Sequence, residues 1–368
     1  MANKYTQVKS AVVGAGAISK QHLQFLTGQT NNSLTEPEQI ALVGVCDLSK
    51  VTAEYTAKAN GTEAFTDYEK MLEQTKPDVV HVLTPPNTHI GLSKLAMQSG
   101  ANVICEKPIT STKPELEDLL SYAKENGVQI TENHNYRFND EIKLLLSAIH
   151  EDQIGSVKEV EIRISLDVTD PSGKFGDQNV VDPIHKMPAG VIHDFTTHFS
   201  YLLLTLSQNA EFTTVGSIWR NQSNNPIFKY DNLDSILVGE NNDGIVHGRL
   251  RFDCETAPDA FSIIVRGSKG YLETDLFQPF IKKVIPRSGG SQLTPIANQV
   301  INGFSLSKSG FKNFKDKLLQ NSPYHGLHRM LDETYAAILE GKELPVSSEQ
   351  LLRASSLVDQ ILNKEAML

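Results

Sequence analysis

Along the first third of the chain, short apolar runs alternate with stretches of helical spacing. The first run, Val8–Val13, ends at a glycine and precedes an amphipathic stretch from about Ala17 to Leu26. Strands that alternate with helices predict crossover units and a parallel sheet. In this segment the predicted strands are 8–13, 40–46, 65, 79–83, 102–105 and 128–131, and the predicted helices are 17–26, 51–60, 68–74, 89–98 and 114–125.

Beyond about residue 155 the pattern changes to apolar–polar alternation interrupted by turn sequences. In Val157–Leu166 the aliphatic side chains fall on one face, and Asn242-Asp243-Gly244 is typical of a hairpin turn. Such runs predict a mostly antiparallel sheet, here interrupted by one helix from about Ala189 to Leu206. The other predicted strands are 211–219, 235–239, 245–252, 261–265, 271–276 and 281–285, and the predicted tail helices are 328–340 and 348–363.

The change of pattern predicts two domains. We place an α/β domain at 1–132 and an α+β domain at 133–368, and we expect the helical tail at about 348–365 to pack back near the first domain. Two segments, 27–39 and 167–188, are expected to be irregular. Long loops are disproportionately functional, so the second segment is a candidate for shaping a ligand pocket.

Composition and charge exclude several classes of protein. The net charge is −10 and there is no dense Lys/Arg cluster, which disfavours a nucleic-acid partner. The polar N-terminus is not a signal peptide, and no apolar run approaches the roughly 20 residues that span a bilayer. Three widely spaced cysteines are expected to be reduced. We therefore expect a soluble cytoplasmic protein without a membrane partner or a bound metal.

A glycine turn follows the first predicted strand, in the sequence Gly14-Ala15-Gly16-Ala17-Ile18-Ser19. Such a turn brings backbone N–H groups and a helix N-terminus against a pyrophosphate. Asp47 follows the second strand, where a carboxylate accepts hydrogen bonds from ribose hydroxyls and repels a 2′-phosphate. The alternatives are an ordinary strand-to-helix turn and a helix-capping aspartate. The dinucleotide interpretation predicts NAD rather than NADP, bound by Gly14, Gly16, Ala17, Ile18 and Asp47.

Lys107 lies in Glu106-Lys107-Pro108, directly after the strand Asn102–Cys105. Ligands of open parallel sheets bind at the carboxyl ends of the strands. An ammonium group there can stabilise the negative charge that builds on oxygen during hydride transfer from an alcohol. The alternative is a surface lysine beside a turn proline.

Asp194 and His198 are four residues apart in a predicted helix, so both side chains share one face. A carboxylate beside an imidazole fixes its tautomer and raises its basicity, as a general base requires. One alternative is a buried structural pair. Another is a metal site that includes His185 and His193, although adjacent His193 and Asp194 would point about 100° apart on a helix.

Further candidates follow strand ends or lie in the long loop. Thr84–His89 contains two prolines that shape a rigid loop, in which Thr88 could cap the next helix. Asn133–Asn139 gathers polar and aromatic side chains where the chain enters the second domain, which suits a ligand-binding cleft. Arg137 could instead be structural, tying the domains through a carboxylate. The cofactor candidates here are Thr84, Pro85, Asn87, His89, Glu106, Lys107, Asn135 and Arg137, and the substrate candidates are Lys107, Tyr136, Lys174, His185, Asp194 and His198.

Together these motifs resemble the glucose-fructose oxidoreductase/inositol dehydrogenase/MocA (Gfo/Idh/MocA) family. The matching elements run in order along nearly the whole chain, and the most specific are the EKP motif and the D-x-x-x-H helix. They are GAGAIS at 14–19, His22, CD at 46–47, PPNTH at 85–89, EKP at 106–108, NYRF at 135–138, D-x-x-x-H at 194–198, GSKGYLETD at 267–275 and GKELPVSSE at 341–349.

The resemblance implies a Rossmann domain followed by an α+β domain whose large, mostly antiparallel sheet is open-faced and often builds dimers or tetramers. It implies that Lys107 contacts the nicotinamide ribose and the reacting hydroxyl. It also implies that His198 is the base and that Asp194 orients this base or binds a substrate hydroxyl. Only Ala189-Gly190 remains of the glycine-rich run that often precedes this aspartate, and a tryptophan–arginine pair of many sugar-nucleotide members is missing. These departures leave the substrate subclass open.

The sequence therefore predicts an NAD(H)-dependent oxidoreductase acting on a CH–OH or C=O group of a sugar, cyclitol or related polyhydroxy substrate. We expect catalysis by Lys107, Asp194 and His198, and a homodimer or homotetramer formed through the open sheet face. Two alternatives stay open at this stage. One is an NAD-dependent glycosidase that uses transient oxidation and elimination, and the other is a non-catalytic NAD-binding sensor on the same fold.

Overall fold

The structure is a computed structural model that describes residues 6–30, 34–173, 175–179, 182–223, 225–287, 290–318 and 324–363. The chain divides into two units. Unit 1 contains residues up to Phe138 together with Tyr324–Ser355, and unit 2 contains Asn139–Pro323 and the residues from Ser356 onward. Each unit has its own sheet.

The sheet of unit 1 has six parallel strands in the order β3-β2-β1-β4-β5-β6. The order reverses between β1 and β4, and ligands of doubly wound folds bind at such a switch point. Strand residues are buried, as expected for a parallel sheet covered on both faces. The strands are β1 (Val8–Val13), β2 (Ile40–Cys46), β3 (Ala64–Phe65), β4 (Val79–Val82), β5 (Asn102–Cys105) and β6 (Ile130–Glu132).

The helices of unit 1 begin at recognisable caps. Thr112 and Glu115 form a capping box in which each side chain accepts from the other's backbone N–H, and Asp67 accepts from Lys70 N. The tail contributes to the same core, since Leu327, Met330 and Tyr335 are fully buried in it. The helices are α1 (Ser19–Leu26), α2 (Lys50–Ala59), α3 (Tyr68–Thr75), α4 (His89–Gln98) and α5 (Lys113–Glu125).

The sheet of unit 2 has seven strands in the order β13-β12-β11-β7-β10-β9-β8. Its pairings are antiparallel except for β7 with β10, which run parallel. The strands are β7 (Val157–Asp167), β8 (Glu211–Arg220), β9 (Asn232–Asn241), β10 (Gly244–Asp253), β11 (Glu255–Gly267), β12 (Tyr271–Asp275) and β13 (Phe280–Val284).

Five further helices complete the described chain. The 17-residue helix α7 (Gly190–Leu206) is almost entirely buried and packs on β7 and β10. Helices α6 (Asp140–His150) and α8 (Gly290–Leu318) lie where no element was predicted. In α8 the sequence contains Pro295 and several Ser, Asn and Gly residues, which lower its helix propensity. Helices α9 (His325–Glu340) and α10 (Ser348–Asn363) match the predicted tail closely.

The predicted fold class is confirmed, with a parallel Rossmann sheet in unit 1 and a mostly antiparallel sheet in unit 2. Cys46, Cys105 and Cys254 are buried free thiols, and burial raises the pKa of each. Among the helices of the described ranges, none is long and apolar enough to cross a membrane.

Candidate active site

The glycine turn lies at the switch point between β1 and β4. Gly14 adopts a φ of +93°, and a Cβ on it would lie 2.8 Å from the carbonyl carbon and oxygen of Leu83. A Cβ on Gly16 would meet no atom within 4 Å. The first glycine is therefore required by the fold, and the second opens space beside the turn for a ligand backbone or phosphate.

The start of helix α1 leaves its first backbone N–H groups without a side-chain cap. Ile18 occupies the N-cap position, and Ala17 is exposed beside it. Ser19, which replaces the third glycine of the fingerprint, is buried and donates its hydroxyl to the Gly16 carbonyl at 2.7 Å. These features fit a pyrophosphate, which accepts hydrogen bonds from N–H groups at a helix N-terminus.

Asp47 is half-buried after β2 and faces the glycine turn. Its carboxylate accepts the Ala15 N–H at 2.9 Å and the Ser49 N–H at 2.8 Å. The cap of α2 is Ser49, whose hydroxyl accepts from Thr52 N. The side chain of Asp47 therefore does not supply the cap, and its placement against the turn suits a ribose-binding carboxylate.

Lys107 and Glu106 follow β5, and both are half-buried. Glu106 Oε1 accepts a hydrogen bond from Asn133 Nδ2 at 2.6 Å and lies 3.2 Å from His22 Nε2. Burial alone would raise the pKa of Glu106, but the hydrogen bonds from His22 and Asn133 and the charges of His22 and Lys107 outweigh it and lower that pKa. An ionised Glu106 therefore lies next to the predicted catalytic lysine.

A chain of buried polar side chains continues from Glu106 into the core of unit 1. His22 Nδ1 lies 2.7 Å from His81 Nδ1, His81 Nε2 lies 2.8 Å from the Tyr335 hydroxyl, and that hydroxyl lies 2.6 Å from the Ser10 hydroxyl. Burial, followed by the charge of His22, lowers the pKa of His81 well below its usual value. Burial raises the pKa of Tyr335. Both groups are therefore neutral near pH 7.

No role was predicted from the sequence for these buried polar side chains. His22 was noted only as part of the family pattern, and His81 and Tyr335 lie far from it in the sequence. One clue was available, because a histidine inside the apolar strand Val79–Val82 must have a hydrogen-bonding partner when it is buried.

The loop Thr84–His89 is tied to the lysine turn by His89. The ring nitrogens of this buried histidine lie 2.8 Å from the Pro108 carbonyl oxygen and 2.7 Å from the Thr84 carbonyl oxygen. Thr88 precedes α4 but its hydroxyl makes no cap and donates to Thr84 Oγ1, so the predicted cap is wrong. Pro85 and Asn87 are exposed, which leaves them accessible to a ligand.

The segment after β6 supports the same turn. Glu132 accepts the Ile109 N–H at 2.6 Å and lies 2.7 Å from His134 Nε2. Asn135, Tyr136 and Arg137 are half-buried in a short 3-10 helix. Arg137 donates to Gln350 Oε1 at 2.8 Å, a contact inside unit 1. This bond gives Arg137 a structural role, while its contact with cofactor stays a prediction.

In unit 2, helix α7 carries Asp194 and His198. His198 is buried, and its Nδ1 lies 2.7 Å from the Tyr201 hydroxyl on the same helix face. Asp194 is half-buried. Tyr201 was not among the predicted site residues, yet its i, i+3 spacing from His198 was readable in the sequence. The Tyr201 hydroxyl therefore holds the His198 ring through Nδ1.

The loop 167–188 contributes the other predicted substrate residues. His185 Nε2 lies 2.7 Å from the Phe175 carbonyl oxygen, and the ring packs edge-on against Phe228. Lys174, also predicted to bind substrate, lies outside the described residues. Within the described ranges no group of three or more His, Cys, Asp or Glu could hold a metal ion, so the metal alternative gains no support.

One cavity in unit 1 has no connection to these candidates. It measures about 440 Å³ between α5, β6 and α10, and none of the predicted site residues lines it. The site of interest in unit 1 is therefore the open edge formed by the glycine turn, Asp47 and the lysine turn.

A doubly wound parallel sheet with a glycine turn and an acidic residue after β2 defines the class of Rossmann dinucleotide-binding proteins. Residues 8–134 match the oxidoreductase family with an NAD-binding Rossmann fold (GFO_IDH_MocA). Residues 8–134 therefore match the NAD-binding Rossmann domain of this family, as the motifs in that segment predicted.

Three similar proteins illustrate the range of the family. Scyllo-inositol 2-dehydrogenase (NADP(+)) IolU of Bacillus subtilis (strain 168) is 31% identical over 152 residues, 41% of this chain and 43% of that protein. Glucose-6-phosphate 3-dehydrogenase of the same organism is 23% identical over 75% of this chain and 77% of its own. The fold matches that of KijD10, a 3-ketoreductase from Actinomadura kijaniata in complex with NADP and TDP-benzene, at a TM-score of 0.73 and 20% identity, covering 98% of both chains.

The first of these relatives is matched over less than half of its length. The matches to two further Bacillus subtilis oxidoreductases, YfiI and YrbE, cover 35% and 42% of their lengths. Two of these three similar proteins are named with NADP, so the similarity does not decide between NAD and NADP.

Proposed function

We propose that the protein is an NAD(H)-dependent dehydrogenase acting on a CH–OH or C=O group of a sugar, cyclitol or related polyhydroxy compound. The observation that carries the proposal is the convergence of the glycine turn, Asp47 and the Glu106–Lys107 turn on one edge of the parallel sheet, at the strand ends around its switch point. Relatives named for oxidation of inositol and glucose-6-phosphate support the substrate class.

Asp47 favours NAD over NADP. Its carboxylate lies against the glycine turn and would accept hydrogen bonds from the adenosine ribose hydroxyls, whereas a 2′-phosphate would meet a like charge. The N-terminus of α1 and the space beside Gly16 would hold the pyrophosphate. When bound, the nicotinamide ring supplies the acceptor or donor of the hydride.

Lys107 stabilises the negative charge that develops on the reacting oxygen. It directly follows Glu106 in the chain, so an ionised carboxylate lies beside the lysine in the same turn. Glu106 is fixed by His22 and Asn133, and the next strand end, Glu132, fixes the turn through Ile109. The turn that carries the lysine is therefore rigid, as charge stabilisation at a reacting atom requires.

His198 takes the alcohol proton on Nε2. In this role Nδ1–H donates to the Tyr201 hydroxyl, which favours the tautomer that can accept a proton on Nε2. Asp194, one turn earlier on α7, orients the base or binds a substrate hydroxyl. In the reducing direction the same atom returns the proton to the carbonyl oxygen.

Three further expectations belong to this proposal. The substrate is bound by Tyr136, Lys174 and His185 in addition to the catalytic groups. The protein assembles as a homodimer or homotetramer through the open face of the unit 2 sheet. Its three protonated thiols suit a reducing, cytoplasmic setting.

The test is a coenzyme-reduction screen over sugars, cyclitols, sugar acids and sugar nucleotides with NAD and NADP in parallel. We expect net NADH formation from a polyhydroxy substrate, and a kcat/KM for NAD that exceeds that for NADP at least about tenfold. In Asp47→Ser, where the like charge is removed, this preference should shrink. The conservative Asp47→Glu serves as the control, since it keeps the charge.

Other outcomes would assign another function. Cleavage of a glycoside without net NADH formation identifies the glycosidase cycle, which returns its hydride. Dinucleotide binding without turnover on any compound identifies a sensor. Failure of the protein to bind either NAD or NADP would contradict the proposal.

A further inference from the structure

Helix α8 in unit 2 packs with its polar face against the sheet. The Asn302 side chain accepts from Lys283 N at 3.0 Å and donates to the Lys283 carbonyl at 2.9 Å. Asn298 and Asn313 donate to the carbonyls of Ile285 and Pro279, each at 2.9 Å. Strand β13 lies at the edge of the sheet. The amides take the place of a neighbouring strand there and so protect the edge of the sheet.

The opposite face of α8 is apolar and exposed. At 3.6 residues per turn, seven apolar side chains fall within an arc of roughly 80°, almost directly opposite the asparagine face. Ordinary surface helices of globular proteins have the reverse arrangement, with the apolar side inward. The exposed side chains are Leu293 at 58%, Ile296 at 57%, Val300 at 54%, Phe304 at 75%, Phe311 at 77%, Phe314 at 64% and Leu318 at 67%.

We propose that this face pairs with the same face of a second copy of the chain, with the two α8 helices antiparallel about a two-fold axis between residues 305 and 306. The stripe 293, 297, 300, 304, 307, 311, 314 and 318 alternates steps of four and three, which is the spacing of a helix–helix seam. A two-fold contact must be complementary to itself, because residue i meets j and j meets i.

The sizes of the side chains meet this requirement. With the axis at 305/306, Phe304 faces Ser307 of the partner subunit, and Val300 faces Phe311 of the partner subunit. Ala297 faces Phe314 of the partner subunit, and Leu293 faces Leu318 of the partner subunit. Large side chains therefore oppose small or medium ones in the inner layers, which lets the seam interdigitate.

The lysines also favour the antiparallel arrangement. Lys308, Lys315 and Lys317 flank the stripe in its C-terminal half only. Antiparallel helices place them beside Ile301, Thr294 and Ile296 of the partner, where their aliphatic stems cover apolar surface. A parallel pair would instead bring both lysine-rich halves together and stack phenylalanine on phenylalanine. Near the axis, Gly303 and Gly310 allow the backbones to approach.

The contact is large enough for a specific dimer. The helix has 29 residues and is about 43 Å long, and the seam from 293 to 318 occupies about 39 Å of it. Phenylalanines bury about 150–250 Å² each, and three per copy with four aliphatic side chains bring the total to the order of 1,200 Å². That total lies at the lower end of the range for specific protein interfaces.

Sedimentation equilibrium of the full chain tests the seam and its direction. Val300→Glu and Phe311→Lys should each weaken the α8 contact at least about 30-fold, lowering the mass by one association step. The double variant should regain most of the association, because antiparallel pairing opposes each glutamate with a lysine. Leu306→Glu, on the same helix but off the stripe and 42% exposed, is the matched control and should behave as the wild type.

Several results would overturn the inference. Wild-type mass in both single variants would remove α8 from any self-association, and a double variant as dissociated as the single ones would exclude the antiparallel direction. If the wild type binds vesicles of phosphatidylcholine and phosphatidylserine, and Val300→Glu loses that binding without a change in mass, the face would instead bind an anionic membrane. Should the charged variants fail to fold, Phe304→Cys with Ser307→Cys must form a covalent dimer on oxidation, and its absence contradicts the pairing.

Discussion

The interior of unit 1 and the surface of unit 2 depart from the usual distribution of polarity in opposite directions. Unit 1 buries a line of polar side chains, from Glu106 through His22 and His81 to Tyr335. Unit 2 exposes a row of apolar ones along α8. A buried polar group is costly unless it is paired, and an exposed apolar row is left in contact with water unless it is covered.

The difference separates two kinds of functional feature. In unit 1 the polar groups have partners within the chain and lead to the turn that carries Lys107, so they indicate where chemistry constrains the core. In unit 2 the amides of α8 have partners within the chain, while its apolar side points away from the sheet. The buried polar side chains of unit 1 therefore support a functional site, and the exposed apolar side chains of α8 support an interface.

The largest effect in unit 1 is expected from the glycine turn. Gly14→Ala should lower the free energy of unfolding by about 3 kcal/mol, because its φ of +93° is unfavourable for alanine and the new Cβ would lie 2.8 Å from Leu83 backbone atoms. Urea unfolding measures the change. Gly16→Ala is the matched control, with no atom within 4 Å of its Cβ, and should change stability by less than about 0.5 kcal/mol. Equal losses in both variants would contradict the steric account.

A smaller effect is expected from Glu106, the end of the polar line that lies next to Lys107. The pKa of Glu106 is lowered in the folded chain, so its ionised form stabilises the fold above the unfolded pKa of about 4.3, and that contribution is lost as pH falls through the folded pKa. Glu106→Gln should therefore cost about 1–2 kcal/mol at pH 7, and the difference from the wild type should vanish in acid.

Urea unfolding between about pH 3 and pH 8 measures this dependence. Glu117→Gln is the control, since Glu117 is an exposed carboxylate on α5 that pairs with Lys113 at 3.2 Å. It should change stability little at any pH, because exposed ion pairs contribute about 0–1 kcal/mol. A Glu106→Gln difference that stays constant down to pH 3 would mean that ionisation of Glu106 does not stabilise the fold.

Much of the fold was predictable because unit 1 follows strong local rules. Buried parallel strands appear as short apolar runs, and β1, β2 and β5 were predicted to the residue. Helix α8 was missed although its apolar residues recur at helical spacing, because Pro295 and the glycines Gly303 and Gly310 lower the helix propensity of this segment. Its inward side is made of asparagine and serine side chains, whereas the covered face of a helix is ordinarily apolar. Only the position of the sheet edge reveals which side of that helix is covered.

The candidate site divides in the same way. Gly14, Asp47 and Lys107 were identifiable because each directly follows a strand whose end meets the ligand edge of the sheet. The polar line behind Glu106 was not, since His22, His81 and Tyr335 come from distant segments that only tertiary packing brings together. Thr88 was a candidate cap from its position, but its hydroxyl donates to Thr84 Oγ1 and makes no cap.

The most direct test of the proposed chemistry compares Lys107→Met and His198→Asn on the substrate that the screen identifies. We expect both variants to bind NADH within about threefold of the wild type and to lose at least about 10²-fold in kcat, since one stabilises developing charge and the other moves the proton. NADH binding by fluorescence, together with steady-state turnover, gives both quantities. Wild-type turnover in either variant would contradict the catalytic role proposed for that residue.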